Sequence, residues 1–177
     1  GVNLGIGTDS ANCSDNQNMY EAMHSASMVS NVQGPDYTRW LRSEEVLNAA
    51  TIGSARALGF DKIGRIAPGY KADIVFLDLE KVNWIPLNDP TNQLVLTEDG
   101  TSVDAVMVGG RMVVEHGRKV GCDMTKLARD CEAARAQLAR LNEGAKALGA
   151  QLEGLVGSFC VGLSKVPYHI HRYGHAH

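Results

Sequence analysis

The first ten residues, GVNLGIGTDS, place a short apolar run directly before a carboxylate, and this feature restricts the possible folds more than any other. The run at residues 2–8 is too short for a helix, which needs roughly ten or more residues, so it predicts a buried strand. A strand that is apolar on both faces is typical of a parallel sheet covered by helices. Asp9 would then lie at the carboxyl end of the strand, where α/β folds place their chemistry.

The composition excludes several classes of partner. The 177 residues are 44% hydrophobic and 21% charged, which is ordinary for a globular protein. The net charge is -3 and there is no basic block, so we expect no nucleic-acid partner. No uninterrupted apolar stretch approaches the 18 or so residues of a membrane span, so we expect no membrane partner. The four cysteines are scattered and form no CxxC pair, which favours reduced thiols and a cytoplasmic location.

Two helical segments should follow the first strand. Apolar residues recur on one face between residues 19 and 29, and Asp15 or Asn16 could cap this helix. Ser43 is a candidate N-cap for the next helix, and Gly59 lies where a helix-ending glycine belongs.

The pattern changes to short β-strands after Gly59. Residues 72–79 predict one strand, and residues 103–120 predict two strands joined by a two-residue turn at Gly109 and Gly110. The Asp89–Pro90 pair between them can start a short helix.

From Met124 onward the sequence predicts one long helix or two. Its apolar residues are spaced alternately four and three apart, as in a heptad stripe. The residues of this stripe are Leu127, Cys131, Ala134, Leu138, Leu141, Ala145, Leu148, Leu152, Leu155 and Phe159. We interpret the stripe as a face that packs on the body of the same chain, with a subunit contact as the alternative. The histidines of the tail, VPYHIHRYGHAH, are interpreted as structural or solvated rather than as metal ligands.

Three stretches resemble the C-terminal part of the amidohydrolase superfamily, in its cytosine deaminase and chlorohydrolase-like branch. They are GIGTDSANCSDNQNMYEAM, then ATIGSARALGF with IGRIAPGYKADIVFLDL, and finally VDAVMVGGRMVVEHGR. Their order and spacing carry the resemblance, which covers roughly residues 1–122.

The resemblance implies an α/β fold of which this chain holds only a part. Relatives form a (β/α)8 barrel of the TIM type, which takes about 250 residues, and a flanking β-sandwich. Residues 1–59 would be the last barrel strand and the helices after it, 60–122 the C-terminal share of the sandwich, and 123–177 a long C-terminal helix and tail. The histidine ligands of the family lie on earlier barrel strands, which these 177 residues do not contain.

The same resemblance assigns chemistry to Asp9. It implies that Asp9 ligates a divalent metal, zinc in the first place and iron as the alternative, and also transfers a proton. Ser10 and Asn12 would line the entrance to the same site and contact the substrate. The implied activity is hydrolysis of a C–N bond of a nitrogen heterocycle by metal-activated water, as in a deaminase.

Two alternatives to a deaminase stay open. One is a triazine chlorohydrolase or alkylaminohydrolase, which would use the same chemistry. The other is a non-catalytic structural fragment that needs the missing barrel. The complete enzyme is expected to bind a small heterocyclic substrate and to form a homo-oligomer.

Overall fold

The computed structural model describes residues 2–166, and these fall into two compact units that meet between Val120 and Gly121. The boundary that the sequence predicts near residue 60 lies inside the first unit. The division of that unit into a barrel part and a sandwich part therefore stays a prediction.

The prediction of a strand over residues 2–8 is wrong for this chain. Residues 2–10 have no regular secondary structure, and the described residues offer this segment no strand to pair with. A lone extended segment cannot form a ladder, because ladder hydrogen bonds need a neighbouring strand. The segment instead lies along the helical segment 43–57. Ser54 Oγ donates to the Ile6 carbonyl at 2.9 Å, and the Ile6 N–H donates back to Ser54 Oγ at 3.1 Å.

Two glycines allow this close approach. A Cβ on Gly53 would lie 2.1 Å from the Leu4 carbonyl oxygen, a distance that no real Cβ adopts. A Cβ on Gly5 would lie 3.1 Å from Ser54 Cα, so the contact is tight from both sides. The Gly53 carbonyl also accepts from Asn3 Nδ2 at 2.9 Å.

Helix α1 spans Ala11–Ser14 and α2 spans Met19–Asn31. The N-cap of α2 is Asn18, whose side chain accepts from the Tyr20 N–H, rather than the predicted Asp15 or Asn16. The buried core of this unit contains Met23, Val46 and Val95, each at most 4% exposed.

The helical segment 43–57 contains α3 (Ser43–Asn48), a π-helical turn (Ala49–Gly53) and α4 (Ser54–Ala57). Its N-cap is Arg42, one residue before the predicted Ser43. The predicted end at Gly59 is confirmed. Gly59 has a φ of 71°, and the Phe60 N–H donates to the Ala55 carbonyl at 2.9 Å, which is a Schellman motif.

The sheet is antiparallel with the strand order β1-β2-β3-β4. Its strands are β1 (Ile74–Leu77), β2 (Val103–Val108), β3 (Arg111–Glu115) and β4 (Arg118–Lys119). The predicted hairpin is confirmed, since Gly109 and Gly110 both have positive φ, as a type I′ turn requires. Helix α5 (Pro90–Leu96) lies between β1 and β2 and is capped by Asp89, as predicted.

The second unit contains α6 (Met124–Leu141) and α7 (Glu143–Ser164), which are separated at Asn142. The sequence predicts one long helix or two, and the structure has two. By length and composition α7 could cross a membrane, and its apolar window is not buried in the structure. The expected absence of a membrane partner therefore stays a prediction. The tail histidines lie outside the described residues.

Candidate functional site

Asp9 lies where the segment 2–8 ends and α1 begins. Its backbone is left-handed, with a φ of 63°, which is uncommon for a residue other than glycine. The Ser10 N–H donates to Asp9 Oδ1 at 2.8 Å, so one carboxylate oxygen is oriented by the backbone of the next residue. The side chain is exposed.

Asp9 lines a cleft of about 500 Å³ between the segment 2–8 and α2. The polar residues that share this cleft with Asp9 are Thr8, Asn16, Asn18, Glu21 and Ser25. Ser10 and Asn12, the predicted substrate-binding residues, are exposed and lie outside that lining set. Their role in substrate binding stays a prediction.

Asn18 connects this cleft to a distant turn. Its Oδ1 accepts from the Tyr20 N–H at 2.9 Å and caps α2, while its Nδ2 donates to the Asp99 carbonyl at 2.6 Å. Gly100 packs beside the Tyr20 ring, where an added Cβ would lie 3.5 Å from Cδ2. This role of Asn18 could not be predicted from the sequence, because nothing local indicates a partner 81 residues away.

Glu98 stabilises the turn whose Asp99 carbonyl accepts the hydrogen bond from Asn18. Its carboxylate is 4% exposed and accepts from Trp84 Nε1 at 2.8 Å, from the Gly100 N–H at 2.8 Å and from the Ser102 N–H at 3.1 Å. Burial, with the Glu98 charge adding to it, raises the pKa of Tyr20 to about 12. Tyr20 therefore stays neutral at physiological pH.

The described residues do not fit a complete metal centre by themselves. A catalytic zinc site takes three protein ligands, and no group of three or more histidine, cysteine, aspartate or glutamate side chains that could hold a metal occurs within residues 2–166. Asp9 can offer one carboxylate. Any further ligands would have to come from outside this part of the chain.

Comparison with known proteins identifies the family. The model of the amidohydrolase family matches residues 1–113. The chain belongs to the amidohydrolase family. This confirms the resemblance on which the sequence analysis relied, and the matched residues include Asp9 and every residue of the cleft around it.

Curated relatives within the family are nucleoside deaminases. The chain is 37% identical over 117 residues to 5-methylthioadenosine/S-adenosylhomocysteine deaminase of Acetivibrio thermocellus, covering 66% of this chain and 27% of the relative. It is 36% identical over 138 residues to 5'-deoxyadenosine deaminase of Methanothermobacter thermautotrophicus, covering 78% of this chain and 32% of the relative. The chain thus spans about a third or less of the length of these relatives.

Solved structures of the family agree with the described fold. An adenosine deaminase from Xanthomonas campestris with bound zinc superposes with a TM-score of 0.75 and 31% identity, covering 78% of this chain and 32% of that one. An atrazine chlorohydrolase from Arthrobacter aurescens, complexed with zinc, superposes with a TM-score of 0.70 and 28% identity. The match covers 75% of this chain and 29% of that one. These homologous structures bound zinc, and the mixed α/β arrangement of this chain matches part of each.

Proposed function

We propose that this chain is the C-terminal portion of a metal-dependent deaminase, which hydrolyses the exocyclic C–N bond of a nitrogen heterocycle. The observation that carries this proposal is the position of Asp9. The family match includes this carboxylate, which ends the first segment and lines a cleft large enough for a heterocyclic ring. The barrel strand assigned to residues 2–8 belongs to the same proposal and would form only beside strands of a complete barrel.

Asp9 would contribute a ligand and a proton acceptor. The Ser10 N–H holds Oδ1 in place, so the carboxylate keeps a defined orientation toward the cleft. An ionised carboxylate can accept a proton from water at neutral pH and return it to a leaving amine. Zinc, when bound in the complete enzyme, would supply a water whose pKa is lowered toward about 7. The remaining ligands would come from the part of the barrel outside this chain.

Adenine nucleosides are the proposed substrate class. The curated relatives are named for deamination of 5-methylthioadenosine, S-adenosylhomocysteine and 5'-deoxyadenosine, and a structural relative is an adenosine deaminase. Water would add to the ring carbon that carries the amino group, and ammonia would leave. We further propose that the complete enzyme is a cytoplasmic homo-oligomer.

A chimeric enzyme tests the proposal. The 27% of the Acetivibrio thermocellus deaminase that aligns with this chain would be replaced by the matched residues, and ammonia release from S-adenosylhomocysteine would be measured. We expect the zinc-loaded chimera to be active and its Asp9→Asn variant to lose at least about a hundredfold in kcat/KM, because general acid–base catalysis is worth about 10²–10⁴.

The matched control is Asp15→Asn, the same substitution at an exposed carboxylate outside the cleft lining. It should leave kcat/KM within a few-fold of the chimera. A thermal melt of each variant separates lost chemistry from lost folding. An Asp9→Asn chimera that keeps nearly full activity would show that Asp9 does not handle the proton.

The 177-residue chain alone is proposed to be inactive, since it brings one metal-ligating carboxylate to the site. Turnover of an aminopurine by the purified chain, abolished by a chelator, would contradict this.

A triazine hydrolase is the second candidate, and it is favoured by the superposition on atrazine chlorohydrolase. Chloride release from atrazine by an equivalent chimera with that enzyme, without deamination of nucleosides, would support it. A chain that restores neither activity, while binding tightly to the separated barrel part, would instead support a structural role.

A further inference from the structure

Two residues with left-handed backbone flank the single turn of α1 that follows Asp9. Asp9 has a φ of 63° and Asp15 a φ of 59°, with the single turn of α1 between them. Left-handed conformations cost non-glycine residues on the order of 1 kcal/mol or more each, so they persist only where surrounding contacts hold them. The position of Asp9 therefore depends on what holds the loop 10–18.

Two hydrogen bonds in the first half of this loop are local, whereas Asn18 at its end is fixed by the bond to the Asp99 carbonyl. Asp9 Oδ1 accepts from the Ser10 N–H, and the Cys13 N–H donates to the Ser10 carbonyl at 2.9 Å. Such bonds shape the turn but cannot fix it relative to the rest of the unit, because both partners move with the loop.

A hydrogen bond from Asn16 to Glu21 joins the loop to α2. Asn16 Nδ2 donates to Glu21 Oε2, and Glu21 belongs to the first turn of α2, where a carboxylate also interacts favourably with the helix dipole. The donor is an amide and the acceptor is a carboxylate, so the bond is charge-assisted and stronger than a neutral one.

The backbone of Glu21 is held by the packing of α2, and its side chain is exposed. Asn18 caps the same helix and bonds to the Asp99 carbonyl, and Met23, two residues after Glu21, belongs to the buried core. A loop tied to Glu21 is thereby tied to the packed part of the unit. Asn16 and Glu21 also line the Asp9 cleft, so their bond forms part of its wall.

We infer that Glu21 is a positioning residue for Asp9, which acts through Asn16 by holding the loop 10–18 against α2. This inference rests on the proposed role of Asp9 for its catalytic consequence, although the effect on the loop is independent of that role. Glu21 bonds to the loop through Asn16, so its loss should loosen the loop first and impair turnover as a result.

A spin label on Cys13 tests the effect on the loop in the full chain. Cys13 is exposed and lies inside the loop, and replacing Cys122, Cys131 and Cys160, all free and exposed, by serine leaves it as the single labelling site. In Glu21→Ala we expect about a tenfold rise in the ratio of mobile to immobile label, the shift expected when one hydrogen bond to a charged group is lost.

Glu21→Gln and Asn16→Ala distinguish positioning from general damage. Glutamine keeps a carbonyl oxygen that can accept from Asn16, so Glu21→Gln should restore most of the immobile signal. Asn16→Ala should match Glu21→Ala, and the double variant should be no more mobile than either single one. Glu44→Ala removes a first-turn carboxylate from α3 instead and should leave the label unchanged.

The chimera supplies the catalytic readout. At equal zinc content and equal melting temperature, Glu21→Ala should lower kcat/KM by about tenfold and Glu21→Gln by much less. An unchanged label spectrum in both Glu21→Ala and Asn16→Ala overturns the inference, whatever the activity of the chimera. If circular dichroism shows that Glu21→Ala disturbs α2, the label spectrum of Asn16→Ala tests the inference instead. Asn16 lies outside the helix, so its substitution leaves α2 intact.

Discussion

At the scale of single residues, Gly53 determines whether the first segment can lie against the helical segment 43–57. We expect Gly53→Ala to lower the free energy of unfolding by about 1–2 kcal/mol, although alanine is the better helix former. The added Cβ would meet the Leu4 carbonyl at 2.1 Å, and overpacking of this kind costs about 1–3 kcal/mol. Urea unfolding measures the change.

Gly144→Ala is the matched control for Gly53→Ala. Gly144 lies in α7, and no atom lies within 4 Å of an added Cβ. Alanine should therefore stabilise that helix by up to about 1 kcal/mol. Equal stabilisation by both substitutions would mean that the Leu4 contact does not form in solution.

Tyr20 should make the first unit sensitive to alkaline pH. Burial and the nearby Glu98 charge raise its pKa to about 12, above the ordinary tyrosine value of about 10. Because the pKa is raised in the folded state, the unfolded state loses the Tyr20 proton first as the pH rises. The contribution of Tyr20 is therefore complete below about pH 10 and is lost as the pH rises toward about 12.

Tyr20→Phe removes this titration, so the variant should lose less stability than the wild type over that pH range. Urea unfolding at a series of pH values measures the difference. Tyr37→Phe, at a side chain that is 74% exposed, should follow the wild-type profile. Parallel profiles for Tyr20→Phe and the wild type would contradict the assignment.

At the scale of elements, Glu98 joins α5, the turn after it and the short helix Val82–Trp84. Glu98→Ala would leave three donors, on Trp84, Gly100 and Ser102, without their buried acceptor. Each unsatisfied buried donor costs about 1–3 kcal/mol, so we expect a loss of about 3 kcal/mol or more in the free energy of unfolding.

Glu80→Ala, at an exposed glutamate in the same unit, should change that free energy by less than about 0.5 kcal/mol. A near-neutral Glu98→Ala would show that water replaces the carboxylate at the turn.

At the scale of the whole molecule, α7 exposes a large apolar surface. Leu148, Leu152, Leu155 and Phe159 of the heptad stripe are between 42% and 67% exposed. Apolar patches of this kind promote association, so light scattering should show an apparent mass that rises with protein concentration. We expect the double variant Leu152→Lys and Leu155→Lys to reduce this association strongly.

Glu153→Lys changes the charge of α7 but keeps its leucines, so it should associate nearly as well as the wild type. A wild-type chain that stays monomeric at every concentration would contradict the prediction and favour a stripe covered within its own chain.

Features that depend on neighbouring residues could be predicted from the sequence. The Gly109–Gly110 hairpin, the Asp89 cap of α5 and the Gly59 helix end could be predicted, because each requires a particular backbone conformation within a few residues. The family could also be predicted, since the order of three short stretches is preserved along the chain. That resemblance directed attention to Asp9.

Features that join distant parts of the chain are visible only in the folded structure. Residues 2–8 have the apolar pattern of a strand, but strand pairing needs neighbours, so within this chain they pack on the helical segment 43–57 instead. The bond from Asn18 to Asp99 spans 81 residues and leaves no local pattern. The burial of Glu98 likewise depends on a tryptophan 14 residues earlier in the chain. Such contacts form only after the chain has folded, so the order of residues alone does not reveal them.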